Sequence, residues 1–424
     1  MEHRLESLQL LRKISLKFGN IGGKSDSMIS FFENLLISDI DEKIRNEAAL
    51  ILCYDYKEKA MNPMRWALHH EESPLCLQTI FNSLISIVKD LEKTNKRIAK
   101  LIMVHEIKQI DDKDFSIGFE ALKSTKEVKD FTLMELADIL INYFALIYLK
   151  KIYWRLKYTI DKCKIIELDF IFKGLTKLPN AIKYLMSLKK LTLRYNQLTE
   201  IPVWIGSLHS LESLNLNVNN LNELPTTMGS LSHLKELLLW KNELQDLPNS
   251  ICLLQSLKYL NLRLNQLKRL PYDLGNLINL IDLNLHDNKL TEVPDSISAL
   301  KSLKTLNLSW NLLTSLSSSI TSLISLRFLN LERNELIQIP TSIGSLTSLE
   351  ILNLGDNKLE TIPESIGNLK KLRVLKISRN KLTNLPKSIY SLENLEELYL
   401  SENNLDINSN ILKKLENKGL KIYL

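Results

Sequence analysis

Two stretches carry residue types that could do chemistry. The first is GNIGGKSDS, Gly19 to Ser27. A glycine-rich loop closed by Lys-Ser can wrap phosphates with its backbone N–H groups, and this one stands between ISLKF and SMISFFENLL. Ile14, Leu16 and Phe18 alternate as in a strand, and the following segment suits a helix. The phosphate loop requires GxxxxGK[ST]. Here three residues, not four, separate Gly19 from Gly23, and Phe18 holds the place of the first glycine. No βαβ series or metal-binding strand follows. The spacing therefore predicts a helix over 3–17 that stops at Gly19, a turn, and a new helix capped by Ser25 or Asp26. The second stretch is His69-His70-Glu71-Glu72. Neighbours on a helix point about 100° apart, so they do not chelate as an i,i+4 pair does. No third ligand lies at a recognisable spacing, which predicts a solvated helix end. No metal or cofactor is called for, and no catalytic constellation stands out.

The elements around these stretches must come from the whole chain. With 45% hydrophobic and 25% charged residues, the composition is that of an ordinary soluble protein. A net charge of +6 over 424 residues excludes nucleic acid as a partner implied by bulk charge. Cys53, Cys76, Cys163 and Cys252 make no CxxC pair and no disulfide framework, so a reducing, cytoplasmic setting is expected. No secretory leader is read at the N-terminus. The most apolar run, ILINYFALIYL, has 11 residues and contains Asn142. A membrane span needs about 20, so a buried helix is expected.

Self-comparison organises the rest. LKKLTLRYNQLTEIPVWIGS at Leu188 is followed by LESLNLNVNNLNELPTTMGS at Leu211 and LKELLLWKNELQDLPNSICL at Leu234. The landmark residues are Asn196, Asn219, Asn242, Asn265, Asn288, Asn311, Asn334, Asn357, Asn380 and Asn403, each 23 residues after the last. IIELDFIFKGLTKLP precedes them as a degenerate unit, with Lys173 in the asparagine position. In LTL, alternating leucines make a short strand with one buried face. The asparagine amide can both donate and accept, so stacked copies can satisfy buried turn groups. Proline, as at Pro202, fixes φ where no ladder donor is needed. One unit cannot bury its own leucines, and stacking does it.

The pattern LxxLxLxxNxLxxLPxxIxxLxx resembles the intracellular leucine-rich repeat family, closest to its 23-residue LPxxIxxL subclass of Ras-pathway scaffolds and plant Ras-group proteins. The resemblance covers about 165–424 and implies a parallel-stranded solenoid of about eleven strands. After Asn403, Ile411, Leu412 and Leu415 suit an amphipathic helix, Gly419 its stop and Leu420, Ile422 and Leu424 a final strand, read together as a cap over 405–424. Ser317 departs from it by replacing proline, which predicts a looser turn.

Residues 1–164 read as helices. Asp41 can cap a helix carrying Ile44, Ala48 and Leu52; a second carries Met64, Ala67 and Leu68; a third, after Pro74, carries Leu77, Ile80 and Leu84. With Arg45 this resembles HEAT-type repeats; a non-repeating bundle is the alternative. A long helix over 131–158 is expected to seal the first leucine unit.

Binding is expected on the concave strand face. There the positions just before each asparagine, and six before it, present Arg194, Tyr195, Trp240, Lys241, Tyr259, Arg263, His286, Asp287, Trp310 and Arg333. Exposed Trp, Tyr and Arg are the commonest interface anchors. The asparagines four before the landmark, such as Asn215 and Asn261, read as consensus, not as a recognition code. Lys376, Arg379 and Lys381 form a basic patch that Glu396, Glu397 and Glu402 are expected to neutralise.

These readings predict a non-enzymatic scaffold that grips a folded protein partner. The resemblance implies signalling, with a small GTPase or its regulators as partner. The rival is a nucleotide-binding or enzymatic N-terminal domain regulated by the repeats, which requires GNIGGKSDS to bind phosphate. A third reading gives the basic LKKIYWRLK segment, from Leu149, a membrane-surface role.

Overall fold

The structure, a computed structural model, describes residues 5–9, 26–94, 96–405, 415 and 420–424. Residues 19–25 of the glycine-rich stretch, and most of the expected 405–424 cap, lie outside them. The chain forms two compact units: Met1–Asp169 with Pro179–Leu188, and Phe170–Leu178 with Lys189–Leu424.

The first unit is mainly helical. Its helices are α1 (Asp26–Ser38), α2 (Glu42–Ile51), α3 (Lys57–His70), α4 (Pro74–Lys93), α5 (Lys96–Lys108), α6 (Lys113–Lys123) and α7 (Leu133–Ile152). Local chemistry starts them where the sequence suggests. The Asp41 carboxylate accepts the Lys43 N–H and caps α2, and Ser73 caps α4 with Pro74 at its first position. Thr132 and Glu135 make a reciprocal capping box on α7. The Thr132 amide and the Lys126 ammonium hold the Glu135 carboxyl down at about 2. Ile44, Ala48, Leu52, Met64, Ala67, Leu68, Leu77, Ile80 and Leu84 are all buried, as the periodicity requires. A π-helical turn, Leu52–Tyr56, joins α2 to α3.

The helix expected over 131–158 is shorter. It ends at Ile152, and the chain turns into a hairpin of β1 (Lys157–Asp161) and β2 (Lys164–Asp169). The β-branched residues of KYTID and the alternation of KIIEL favour strands once the helix stops. Asn142 ties the hairpin to α7. Its side-chain amide donates to the Asp138 carbonyl at 2.8 Å, and its Oδ1 accepts the Ile165 N–H at 2.8 Å. The one polar residue in the apolar run is thus a buried, satisfied crosslink. Lys150 reaches Asp112 at 3.6 Å, and Lys151 donates to the Glu71 carbonyl at 2.9 Å, so this basic pair has partners within the unit. No helix of the described residues is long and apolar enough to cross a membrane.

The second unit is a repeating solenoid. Its strands are β3 (Lys190–Thr192), β4 (Ser213–Asn215), β5 (Glu236–Leu238), β6 (Tyr259–Asn261), β7 (Asp282–Asn284), β8 (Thr305–Asn307), β9 (Phe328–Asn330), β10 (Ile351–Asn353), β11 (Val374–Lys376), β12 (Glu397–Tyr399) and β13 (Lys421–Tyr423). They pair in parallel, in chain order, and from β3 to β12 each leucine is opposite the leucine 23 residues on, as Leu214 is opposite Leu237. β13, from the final LKIYL, pairs with β12. Short 3₁₀ turns such as Val203–Ser207 and Thr226–Ser230 return the chain. In one unit Leu191, Leu193, Leu198, Ile205, Leu208 and Leu211 are fully buried. Each buried leucine contributes on the order of 2 kcal/mol, realised only against the next unit.

Ser317 does not loosen its turn. Its φ of −60° and ψ of 141° match the prolines elsewhere, such as Pro294 at −65° and 145°. Its hydroxyl donates to Asp295 at 2.6 Å and accepts the Ser319 N–H at 3.2 Å.

Candidate functional site

The strand face is built by two sets of asparagines. In the landmark set, each side chain joins two units. Asn219 donates to the Leu193 carbonyl of the preceding unit and the Leu216 carbonyl of its own, each at 3.0 Å, and its Oδ1 accepts the Leu198 N–H at 3.1 Å. The same bonds recur at Asn196, Asn242, Asn265, Asn288, Asn311, Asn334, Asn357, Asn380 and Asn403. Only a carboxamide offers donors and an acceptor at one small site. In the degenerate unit Lys173 cannot do this, and its own N–H donates to Asn196 at 3.1 Å.

The second set lies four residues earlier. Asn215, Asn261, Asn284, Asn307, Asn330 and Asn353 each accept the N–H two residues on, at 3.0–3.1 Å. The strand has ended there, so that N–H has no ladder partner. These asparagines thus close the turn that follows each strand. Leu238 breaks the set, and there Asn217 of the preceding unit takes the Trp240 N–H at 2.8 Å.

This framework fixes which side chains face outward. The residue before each landmark asparagine has positive φ, between 54° and 57°, and none is glycine: among them are Tyr195, Lys241, Asp287, Trp310 and Arg333. A side chain in the left-handed region costs roughly 1–2 kcal/mol. The bonds on either side impose the conformation, and it displays each of these side chains at the turn.

Three clusters result. In the first, the Arg333 guanidinium lies 3.9 Å from the centre of the Trp310 ring, and the His286 ring meets that ring edge-on at 6.2 Å. Arg333 also pairs with Asp356 at 3.0 Å. Trp310 is 44% exposed. The Ser309 hydroxyl donates to Asn307 at 2.7 Å, so at 2.7 Å from His286 Nδ1 it accepts from the imidazole. Ser309 is buried, and its hydroxyl supports the imidazole from below the surface. Burial, and then Arg263, pushes the His286 pKa down, against Asp287 and Glu332. The downward shift favours the neutral imidazole at pH 7, beside the Arg333–Asp356 pair.

In the second cluster, Tyr195 stacks on Phe172 at 4.5 Å, with Arg194 over the tyrosine at 5.2 Å. Phe172 is 70% exposed. It occupies the display position of the degenerate unit, where no landmark asparagine marks it in the sequence. In the third, Tyr399 stacks on Tyr423 at 4.2 Å, under the Lys376 ammonium at 4.9 Å. The Tyr399 hydroxyl donates to Glu397 at 2.9 Å, and its pKa rises to about 12. Of the carboxylates expected to neutralise the basic patch, Glu402 does pair with Arg379 at 2.9 Å, but Glu396 pairs with Arg373 at 2.9 Å.

Of the other expected site residues, Arg263 neighbours His286 and helps to lower its pKa. Tyr259 is exposed on β6, while Lys241 and Arg263 are exposed at their turns. Trp240 is half-buried, and its indole N–H is enclosed without a hydrogen-bond partner. In the helical unit, His69-His70-Glu71-Glu72 diverges. His69 meets the Tyr143 hydroxyl at 3.1 Å, His70 meets the Trp66 carbonyl at 2.7 Å and stacks on its ring, and Glu71 pairs with Arg45. Among the described residues no group of three His, Cys, Asp or Glu could hold a metal. All four cysteines are buried free thiols.

Comparison with known proteins agrees with the repeat. The family model for a leucine-rich repeat region matches residues 313–420, and two further leucine-rich repeat models match 278–336 and 187–208. No curated protein matches the chain. Among solved structures, an LRR protein of Leptospira interrogans is 31% identical, over 59% of this chain and 82% of that one, with a TM-score of 0.34. A plant peptide hormone receptor, in complex with RGF2, is 29% identical over 54% of this chain and 42% of that one, with a TM-score of 0.48. The functional domain of InlJ from Listeria monocytogenes, which includes a cysteine ladder, is 25% identical over 61% of this chain and 53% of that one, with a TM-score of 0.52. The chain thus spans about half the length of the last two. With ten in-phase 23-residue units, the asparagine ladder they build and three matching family models, the chain belongs to the leucine-rich repeat proteins.

Proposed function

We propose that this chain is a non-enzymatic scaffold whose strand face binds a folded protein partner. The observation that carries the reading is the Trp310 cluster. An exposed indole is held between Arg333 and His286, on a rigid repeat that does not need a tryptophan there. Exposed Trp and Arg held in fixed geometry are the usual source of binding energy at protein interfaces, because little side-chain entropy remains to be lost. The partner class we propose is a small GTPase or one of its regulators, in cytoplasmic signalling. That part rests on the resemblance of the LPxxIxxL pattern to Ras-pathway scaffolds, and fold alone does not fix function.

Affinity capture from native extract tests the reading, with the intact protein set against a Trp240→Ala/Trp310→Ala double variant. Selective loss of a folded partner from the variant is the expected result. An unchanged set of partners places binding elsewhere on the chain and ends the proposal.

A further inference from the structure

The hairpin of the helical unit leaves a strand edge open. β1 pairs with β2, from Lys157 opposite Asp169 to Asp161 opposite Lys164, and among the described residues no other strand pairs with it. Its side chains alternate between exposed and half-buried. No backbone hydrogen bond of the described residues reaches its outer edge. Alongside lies α6, and between the two is a cleft of about 480 Å³, lined by Asp114, Ile117 and Ala121 of the helix and by Tyr158, Ile160 and Asp161 of the strand. Ile117 is 58% exposed.

A strand edge beside a helix has the geometry that accepts an extended peptide as one more strand. The edge supplies main-chain hydrogen bonds, and the helix supplies a wall for alternate side chains. We propose that this cleft binds an extended peptide of alternating apolar and basic residues, added to β1. The five residues of β1 give an edge of about 17 Å, enough for five or so guest residues. The register shift between Thr159 and Ile160 disfavours long edge-to-edge pairing with a second copy, and a short guest tolerates it better. Charge selects the guest. Neither Asp114 nor Asp161 is in an ion pair among the described residues; Asp114 meets the Tyr158 hydroxyl at 3.4 Å. Lys162 is the one cation of the lining. Ile117, Ala121 and Ile160 supply the apolar surface for the intervening side chains.

The test uses the full chain and fluorescence anisotropy. The probe is a labelled hexapeptide, Val-Lys-Val-Lys-Val-Lys, with two companions N-methylated on alternate amides in either phase. Saturable binding below millimolar is expected. About a tenfold loss is expected for at least one N-methylated probe, because its edge-facing donors are gone. Ala121→Trp, at an exposed helix position, fills the cleft and gives a similar loss; Ile117→Lys serves if that variant fails to fold. Asp114→Asn/Asp161→Asn weakens binding and flattens its salt dependence, while Trp310→Ala leaves it unchanged. Equal binding of all three probes means charge attraction alone and overturns the proposal. So does binding insensitive to the cleft variants, or no saturation at millimolar peptide.

Discussion

Arg333 sits between Trp310 and Asp356, with its guanidinium 3.9 Å from the ring centre and its Nε 3.0 Å from the carboxylate. Three successive units thereby hold one exposed indole in place. If a partner buries that ring, Trp310→Ala should weaken binding by about 2 kcal/mol or more. Arg333→Ala should follow it. Arg333→Lys should fall between, because an ammonium keeps the charge but does not stack as a guanidinium does. Calorimetry with the captured partner would measure all three, and no change for Trp310→Ala would remove this cluster from the interface.

Asn288 shows what the ladder contributes to stability. It donates to the Leu262 and Leu285 carbonyls and accepts the Leu267 N–H. Asn288→Ala leaves all three buried groups without that partner, so a loss of about 3 kcal/mol or more is expected. Asn403, at the less buried end of the array, should lose less on the same change. Urea unfolding of the two variants makes the comparison, and equal losses would contradict the burial argument.

Val218 is β-branched and has φ of 56°. Glycine removes the steric penalty of that conformation and adds chain entropy to the unfolded state, effects of opposite sign. The steric gain is the larger, so Val218→Gly should stabilise by about 0.5–1 kcal/mol. A lowered urea midpoint would show that the valine side chain supplies packing that outweighs its strain.

Ser317 already has the backbone of a proline, and its N–H donates to no backbone group of the described residues. Ser317→Pro should therefore raise stability by about 0.5–1 kcal/mol through the unfolded state, less whatever the hydroxyl's bonds to Asp295 and the Ser319 N–H contribute. Calorimetric melting reads the difference.

Glu71 makes the helical unit acid-sensitive. Burial pushes its pKa up, but Arg45, at 2.7 and 2.9 Å, and the Ser73 and Glu72 amides outweigh burial, and the net shift is downward. A depressed carboxylate stabilises above its unfolded value, near 4.3, and that contribution disappears as pH falls through the folded value. Stability should thus fall below about pH 4.3. Glu71→Gln should start less stable and show a flatter acid limb. An unchanged limb would assign the acid sensitivity to other carboxylates.

Much of this was legible in the residues. Ten copies in phase determine the strand, the buried leucines and the landmark asparagines, because each unit repeats the same local problem. The helix starts at Glu42, Pro74 and Leu133 were equally local, fixed by Asp41, by Ser73 with Pro74, and by the Thr132 capping box. The tertiary structure decided what depends on neighbours distant in sequence. Asn142 reads as an interruption in an apolar run until the Ile165 amide arrives beside it. The helix expected to run to 158 stops at Ile152, and the chain beyond it pairs with Lys164–Asp169, a partner that local sequence does not announce. Trp240 stands two residues before its landmark asparagine and Trp310 one before, at the positive-φ position; one is half-buried and the other is displayed. Period and caps are encoded within a few residues, whereas exposure and pairing are set by whatever packs alongside.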